Sequence, residues 1–223
     1  MASRRFVGFV RFVGFVGLLC VGFPRFDGFV GAVRVRAQDV VLDRMLAVVN
    51  GDVVTSSDVR AARRLHMVPF VASMNDDALI TQLIERRLML AEVARYAPAE
   101  PTKEQLAARR AAWMAALPAG TDVVKGLASV GMRDAALAAW LRDDLRIAAY
   151  LDQRFTAAAQ PTRDQALAFF RDHESDFAVA GTVPDFATVE AEVRRRVAAD
   201  RRATRIREWI ESLKQRAEIR RIQ

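Results

Sequence analysis

The sequence predicts a mainly α protein with one small antiparallel sheet. Three observations carry this. DRMLAVVNGDVVTSSD, Asp43 to Asp58, reads as strand, tight turn, strand and immediate helix start. Apolar residues then recur at three- and four-residue spacing through most of the remaining chain, the period of a helix with one buried face. The last residues, AEIRRIQ, form a candidate third strand after a long helical stretch.

Residues 1–37 read as a secretory signal. Arg4 and Arg5 form a positive head, and Phe12 to Phe23 is an uncharged run of 12 residues. That length suits a signal's apolar region, about 7–15 residues, and falls short of the roughly 17–25 a membrane-crossing helix needs. Val35-Arg36-Ala37 offers a cleavage point after Ala37. The hexamer RF-[VD]-GFV recurs from Arg5, Arg11 and Arg25, and the long gap to Ala37 leaves an uncleaved anchor or an upstream start codon as alternatives. Cys20, the only cysteine, lies in this leader, so cleavage would leave a chain without disulfides, thiol nucleophiles or thiolate metal sites.

Met45 to Val49 is apolar and β-prone, and Asn50-Gly51 is the strongest short hairpin signal, because a type I′ turn needs φ > 0 at both central positions. Val53 and Val54 begin the return strand. Thr55 with Asp58 has capping-box spacing, which starts a helix running to about His66. A single hairpin cannot bury its own faces, so it needs the closing strand and the helices. Met67, Val68, Pro69, Phe70 and Met74 then lie in or beside a loop. Asn75 or Asp76 caps a longer helix with Leu79, Ile80, Leu83, Ile84, Leu88 and Ala91 as its apolar stripe. Ala97-Pro98-Ala99-Glu100-Pro101 breaks it. Thr102 with Gln105 opens a helix to about Leu117, and Thr121 to Val130 is a short helix stopped at Gly131. Arg133 to Phe155 is long and Ala-rich, with Leu137, Trp140, Leu141, Leu145, Ala148 and Leu151 on one side. Pro161-Thr162 starts a helix to about His173, and Phe177 to Pro184 is a linker. Phe186 to about Arg216 is the last helix, with Val189, Val193, Val197, Ile206, Ile210 and Leu213 as its seam.

The formal charge of +7 invites a nucleic-acid reading until the charge is located. Residues 1–37 hold six arginines against one aspartate, so the excess sits largely in the leader. Residues 186–223 carry eleven bases and six acids, which leaves a slight acidic excess in the body between. A basic last helix suits packing back on that body, and suits an acidic partner equally. Arg194-Arg195-Arg196 and Arg201-Arg202 are interleaved with Glu190, Glu192, Asp200, Glu208 and Glu211, whereas a nucleic-acid helix shows an unbroken basic face. No nucleic-acid partner is expected.

Catalytic signals are sparse. His66 and His173 stand alone in their segments, without the partners a zinc site or a general base needs. Asp76-Asp77 and Asp143-Asp144 are adjacent acids, which on a helix point in different directions, so they read as caps or exposed faces. No glycine-rich phosphate loop is present. No metal, cofactor or catalytic residue is assigned. What stands out is apolar: Met67, Phe70, Met74, Trp113, Met114 and Met132. Methionine is flexible and polarizable and suits varied partners. These residues either complete the core between helices or, where exposed, form an apolar cradle.

Several segments together resemble the SurA family of periplasmic chaperones. They are the leader, DRMLAVVNGDVVTSSD, LIERRLMLAEVA (Leu83 to Ala94), PTKEQL (Pro101 to Leu106), QPTRDQALAFFRDHESDF (Gln160 to Phe177) and the closing VPDFATVEAEVRRRV…IREWIESLKQRAEIRRI. The similarity covers most of residues 40–223 in order, loosest over Pro118 to Met132, and lies with the lobe built from the N-terminal region and the returning C-terminal helix. It implies a helical chaperone lobe over 38–223: 38–177 as hairpin and helices, 178–185 as a linker, and 186–223 as the returning helix and strand. Family members usually carry one or two parvulin-type prolyl isomerase domains at that linker, where only Ala178 to Val183 stands here. The resemblance therefore implies an ATP-independent holdase without isomerase activity. It would act in the periplasm, where Met67, Phe70, Met74, Trp113, Met114 and Met132 would contact unfolded outer-membrane proteins or aromatic-rich peptides. A prolyl isomerase, or an interaction subunit of envelope assembly, is the alternative. No stable membrane span is expected after signal cleavage.

Overall fold

The computed structural model describes residues 43–69, 74–179 and 181–222; the signal-peptide expectation, Cys20 and Phe70 lie outside the described residues. Two strands open the described chain, β1 (Met45–Val49) and β2 (Asp52–Thr55), joined by Asn50 at φ 51° and Gly51 at φ 94°. Both central residues thus take the left-handed conformation that the Asn-Gly pair tolerates at little steric cost. Pairing is antiparallel, with Val49 opposite Asp52, Val48 opposite Val53 and an irregularity between Met45 and Ala47. The pleat sends Ala47, Val49 and Val54 inward, all at most 2% exposed.

The closing strand β3 (Ile219–Arg221) pairs antiparallel with the other side of β1, giving the order β2-β1-β3. Asn50 fixes this closure: its N–H donates to the Glu218 carbonyl at 2.9 Å, and its side-chain oxygen accepts the Glu218 N–H at 2.9 Å. The fold is therefore mainly α with a small three-stranded antiparallel sheet made from the two ends of the described chain.

Helix α1 (Ser56–Arg64) starts directly from β2 through the capping box of Thr55 and Asp58. Asp43 adds a second clamp. Its carboxylate accepts from the Ser56 hydroxyl at 2.8 Å, from the Ser57 N–H at 3.0 Å and from the Ser57 hydroxyl. What burial it has would raise the Asp43 carboxyl, but the bonds from Ser57, Thr55 and Ser56 outweigh this and hold it well below the usual carboxylate range. A depressed folded value stabilises the fold above the unfolded carboxyl value of about 4, and that support is lost as the pH falls further. Asp43→Asn is accordingly expected to melt below the parent at pH 7, with the gap narrowing between pH 4 and pH 2. Thermal melts across that range check it, and a gap that stays constant with pH counts against the clamp.

The remaining helices are α2 (Asp76–Tyr96), α3 (Lys103–Ala116), α4 (Val123–Ser129), α5 (Asp134–Phe155), α6 (Arg163–Asp172) and α7 (Phe186–Arg216). Asn75, Thr102, Asp122 and Thr162 cap α2, α3, α4 and α6 through their side chains. Single 3₁₀ turns follow α5 (Ala157–Ala159) and α6 (Glu174–Phe177).

Three apolar clusters hold these elements. The largest joins the sheet, α1, α2, α5 and the second half of α7, around Leu79, Leu83, Val93, Trp209 and Leu213. A second joins the end of α1 to α3, α4 and α5 around Leu65, Trp113, Leu137 and Leu141. Gly126 lets α4 approach closely here: a Cβ at that position would stand 3.2 Å from Leu65 Cδ2. The third packs the first half of α7 on α6 through Val193, Val197, Ala166, Phe170 and Phe177. The buried face of α7 thus shifts along its length, and Trp209, which the sequence seam omits, is one of its four buried residues.

Candidate functional site

A groove opens beside the loop that follows α1. It is walled by α2, α3 and α5, and its volume is about 610 Å³. The loop's shape comes from α1's end: Leu65 is fully buried and His66 takes φ 48°, which turns the chain sharply. Two tryptophans then hold it by its main chain. Trp113 Nε1 of α3 donates to the Leu65 carbonyl at 2.8 Å, and Trp140 Nε1 of α5 donates to the Met67 carbonyl at 3.2 Å. A buried indole needs an acceptor, and here each supplies a loop carbonyl with its donor.

Met67, Val68 and Pro69 of this loop, Met89 of α2, Trp113 and Ala116 of α3, and Ile147, Ala148 and Leu151 of α5 form the apolar lining. Ala116 and Ala148 are exposed, so the groove is reached without opening the core. A second cavity, about 310 Å³, lies alongside and is lined by Met67, Leu83, Leu90, Met132, Ala136 and Trp140 among others. Met67 and Arg86 line both spaces.

Arg86 is the polar element of this partition. Its side chain is 9% exposed, and its Nη1 donates to Asp144 of α5. Its Nη2 donates to the Trp140 carbonyl at 2.9 Å, and the guanidinium lies 3.8 Å from the centre of the Trp140 ring. Arg109 of α3 reaches the other Asp144 oxygen at 2.8 Å. Burial pushes the Arg86 guanidinium below its ordinary value, and Asp144 works against that shift. One carboxylate therefore ties α2, α3 and α5 together in the wall of the groove. On the rim, Glu85 is paired with Lys214 of α7 at 2.6 Å.

The six sequence-selected residues separate in space. Met67 and Trp113 are buried and line the groove. Met132 lines the neighbouring cavity and packs on the α3–α5 cluster. Met114 is 48% exposed beside Trp113 but is not part of either lining. Met74 packs against the main core, away from both linings, and its carbonyl accepts from Arg63 Nη1 at 3.1 Å. Phe70 lies outside the described residues. Sequence reasoning missed Met89, Ile147 and Leu151. Leu151 belongs to the α5 stripe and looks like core until the helices are seen to diverge, while Met89 and Ile147 fall outside the stripes read from the sequence.

The acidic pairs and the basic run also find their places. Asp144 is the shared carboxylate above rather than a cap or an exposed acid, while Asp143 pairs with Arg146 at 3.7 Å. Arg194 pairs with Glu190 at 3.6 Å, Arg195 with Glu192, and Arg196 with Asp176 at 2.8 Å. His173 ends α6, stacked on Phe169 with ring centres 4.1 Å apart. Among the described residues no three His, Cys, Asp or Glu side chains group to hold a metal, and no helix is long and apolar enough to cross a membrane. No known family model and no curated protein matches the chain.

Proposed function

We propose that the protein is an ATP-independent holdase that binds unfolded polypeptide in the groove between α2, α3 and α5. The observation that carries this reading is the groove itself: an open space of about 610 Å³ with a Met-, Trp- and Ile-bearing wall and an Arg86–Asp144–Arg109 network among its lining residues. Methionine walls adapt to different apolar side chains without a fixed lock. Binding would be many weak apolar contacts, with no bond made or broken.

The family reading refines this. The head-to-tail sheet and the long α7 lying against α2 and α5 support a chaperone lobe like that of the SurA family, without its isomerase domain. On that reading the protein works in the periplasm, and its clients are outer-membrane protein segments rich in aromatic residues.

The test is suppression of aggregation of an unfolded outer-membrane β-barrel protein by the purified chain. Trp113 is buried and hydrogen-bonded, so a substitution there would confuse folding with binding. Ala116→Glu and Ala148→Glu place carboxylates in the groove from exposed positions and remove nothing from the core. Each is expected to leave the melting temperature within a few degrees, and to require at least fivefold more protein for the same suppression. A parent chain that leaves aggregation unchanged removes the holdase reading. Full suppression by both variants moves binding away from this groove.

A further inference from the structure

A separate recess lies between the end of α2 and the end of α5, with a volume of about 310 Å³, lined by Tyr96, Tyr150, Gln153 and Arg154. None of these residues lines the groove or its neighbouring cavity. Tyr96 is the last residue of α2 and is 62% exposed, the largest aromatic surface left open among the described residues. It meets Tyr150 at 5.4 Å between ring centres, and Tyr150 meets buried Trp209 at 5.5 Å. The outer ring thus packs, tilted, against Tyr150 and through it on Trp209, rather than hanging free.

Arg154 stands beside this aromatic cluster. Its guanidinium lies 5.7 Å from the Tyr150 ring centre, 5.5 Å from Phe155 and 5.7 Å from Trp209. A guanidinium offers five N–H donors in a fixed fork. Among the described residues only Nη1 has a hydrogen-bond partner, the Tyr150 hydroxyl at 2.5 Å, and no carboxylate lies within ion-pair distance. Position in the last turn of α5 favours the positive charge but leaves the remaining donors open. Arg86, by contrast, engages a carboxylate and a carbonyl with its two Nη groups.

An exposed ring packed on a buried aromatic cluster and a cation with free forked donors fit one chemistry: an aromatic ring carrying a carboxylate close by. The ring would lie on Tyr96 and the carboxylate would meet Arg154, the geometry in which Arg–carboxylate pairs are strongest. We propose that Tyr96, Tyr150 and Arg154 form a binding site for an aromatic residue with an adjacent carboxylate in a peptide. The site is separate from the groove and stands independently of the holdase reading.

The test is titration of the full chain with N-acetylphenylalanine, N-acetylphenylalaninamide and acetyl-Asp-Phe-amide, followed by NMR shifts. These probes present the carboxylate at a chain end, not at all, and on a neighbouring side chain. The acid is expected to bind at least fivefold more tightly than the amide, and the third probe tells whether an internal carboxylate serves as well. Arg154→Gln should abolish the preference for the acid, whereas Arg154→Lys should retain part of it. Tyr96→Ala should weaken all three probes by at least fivefold, and its exposed position lets it decide the matter even where Arg154→Gln does not fold. Equal affinity for acid and amide in the parent, or unchanged binding by Tyr96→Ala, overturns the assignment. Aggregation suppression is a separate readout, so loss of one activity does not imply loss of the other.

Discussion

Asp144→Ala is expected to destabilise the protein by about 3–5 kcal/mol, the usual cost of breaking a buried ion pair by removing one partner. The acid and Arg86 are 16% and 9% exposed in their side chains, so both are largely withdrawn from water. Without Asp144, Arg86 keeps only the Trp140 carbonyl and the face of its ring, and Arg109 loses its anion altogether. A domain of this size loses roughly 2–4 °C of Tm per kcal/mol, so a fall on the order of 10 °C is expected. The control is Arg86→Met combined with Asp144→Leu, which replaces the pair with apolar groups. Exchange of a buried pair for packed apolar side chains is often neutral or better, so the double variant should recover most of the loss. Urea unfolding of the three proteins measures this. A cost below about 1 kcal/mol for Asp144→Ala would mean that solvent reaches the network and that it does not brace the groove. A double variant that folds well yet loses aggregation suppression would show the network shaping the groove rather than merely holding it.

This network also marks where sequence reasoning stops. Asp143 and Asp144 are neighbours in the chain and point apart, which was readable. That Asp144 meets a guanidinium 58 residues earlier was not, because only the packing of α2 on α5 brings them together. Local chemistry, in contrast, was open to reading. Asn50-Gly51 announced the hairpin, Thr55 with Asp58 the helix start, and Phe186 to Arg216 the last helix, because each rests on interactions within a few residues. The closing strand was readable for a different reason. The hairpin left β1 with an unpaired edge, and AEIRRIQ was the segment able to fill it; Val48 stands opposite Arg220 and Val49 opposite Ile219. For the groove, residue type pointed to Met67 and Trp113. Which face of each was open, and which helix neighbours joined them, depended on how the helices diverge, and no local pattern encodes that.

Trp209 makes the same point and carries the other large effect. In the sequence it is a lone aromatic among charges; in the fold it is 7% exposed and lies in the main cluster with Leu213. Its ring meets Tyr150 at 5.5 Å and Phe155 at 5.6 Å, so it is the bolt between α7 and α5. Trp209→Ala removes that contact and leaves a cavity, with an expected cost of about 3–5 kcal/mol. The loss should be unevenly distributed. Val193 and Val197 still pack on α6, while the second half of α7 and the β3 strand attached to it lose their main anchor. Hydrogen exchange should therefore rise over residues 205–221 and at the β1 amides that face β3, more than over α6 and the first half of α7. Trp209→Phe, which keeps a ring between Tyr150 and Phe155, should recover more than half of the stability. Uniform loss of protection across the chain would mean that the domain opens only as a whole. A cost below about 1 kcal/mol for Trp209→Ala would mean that α7 is held to the body by its ion pairs and by β3 rather than by this ring.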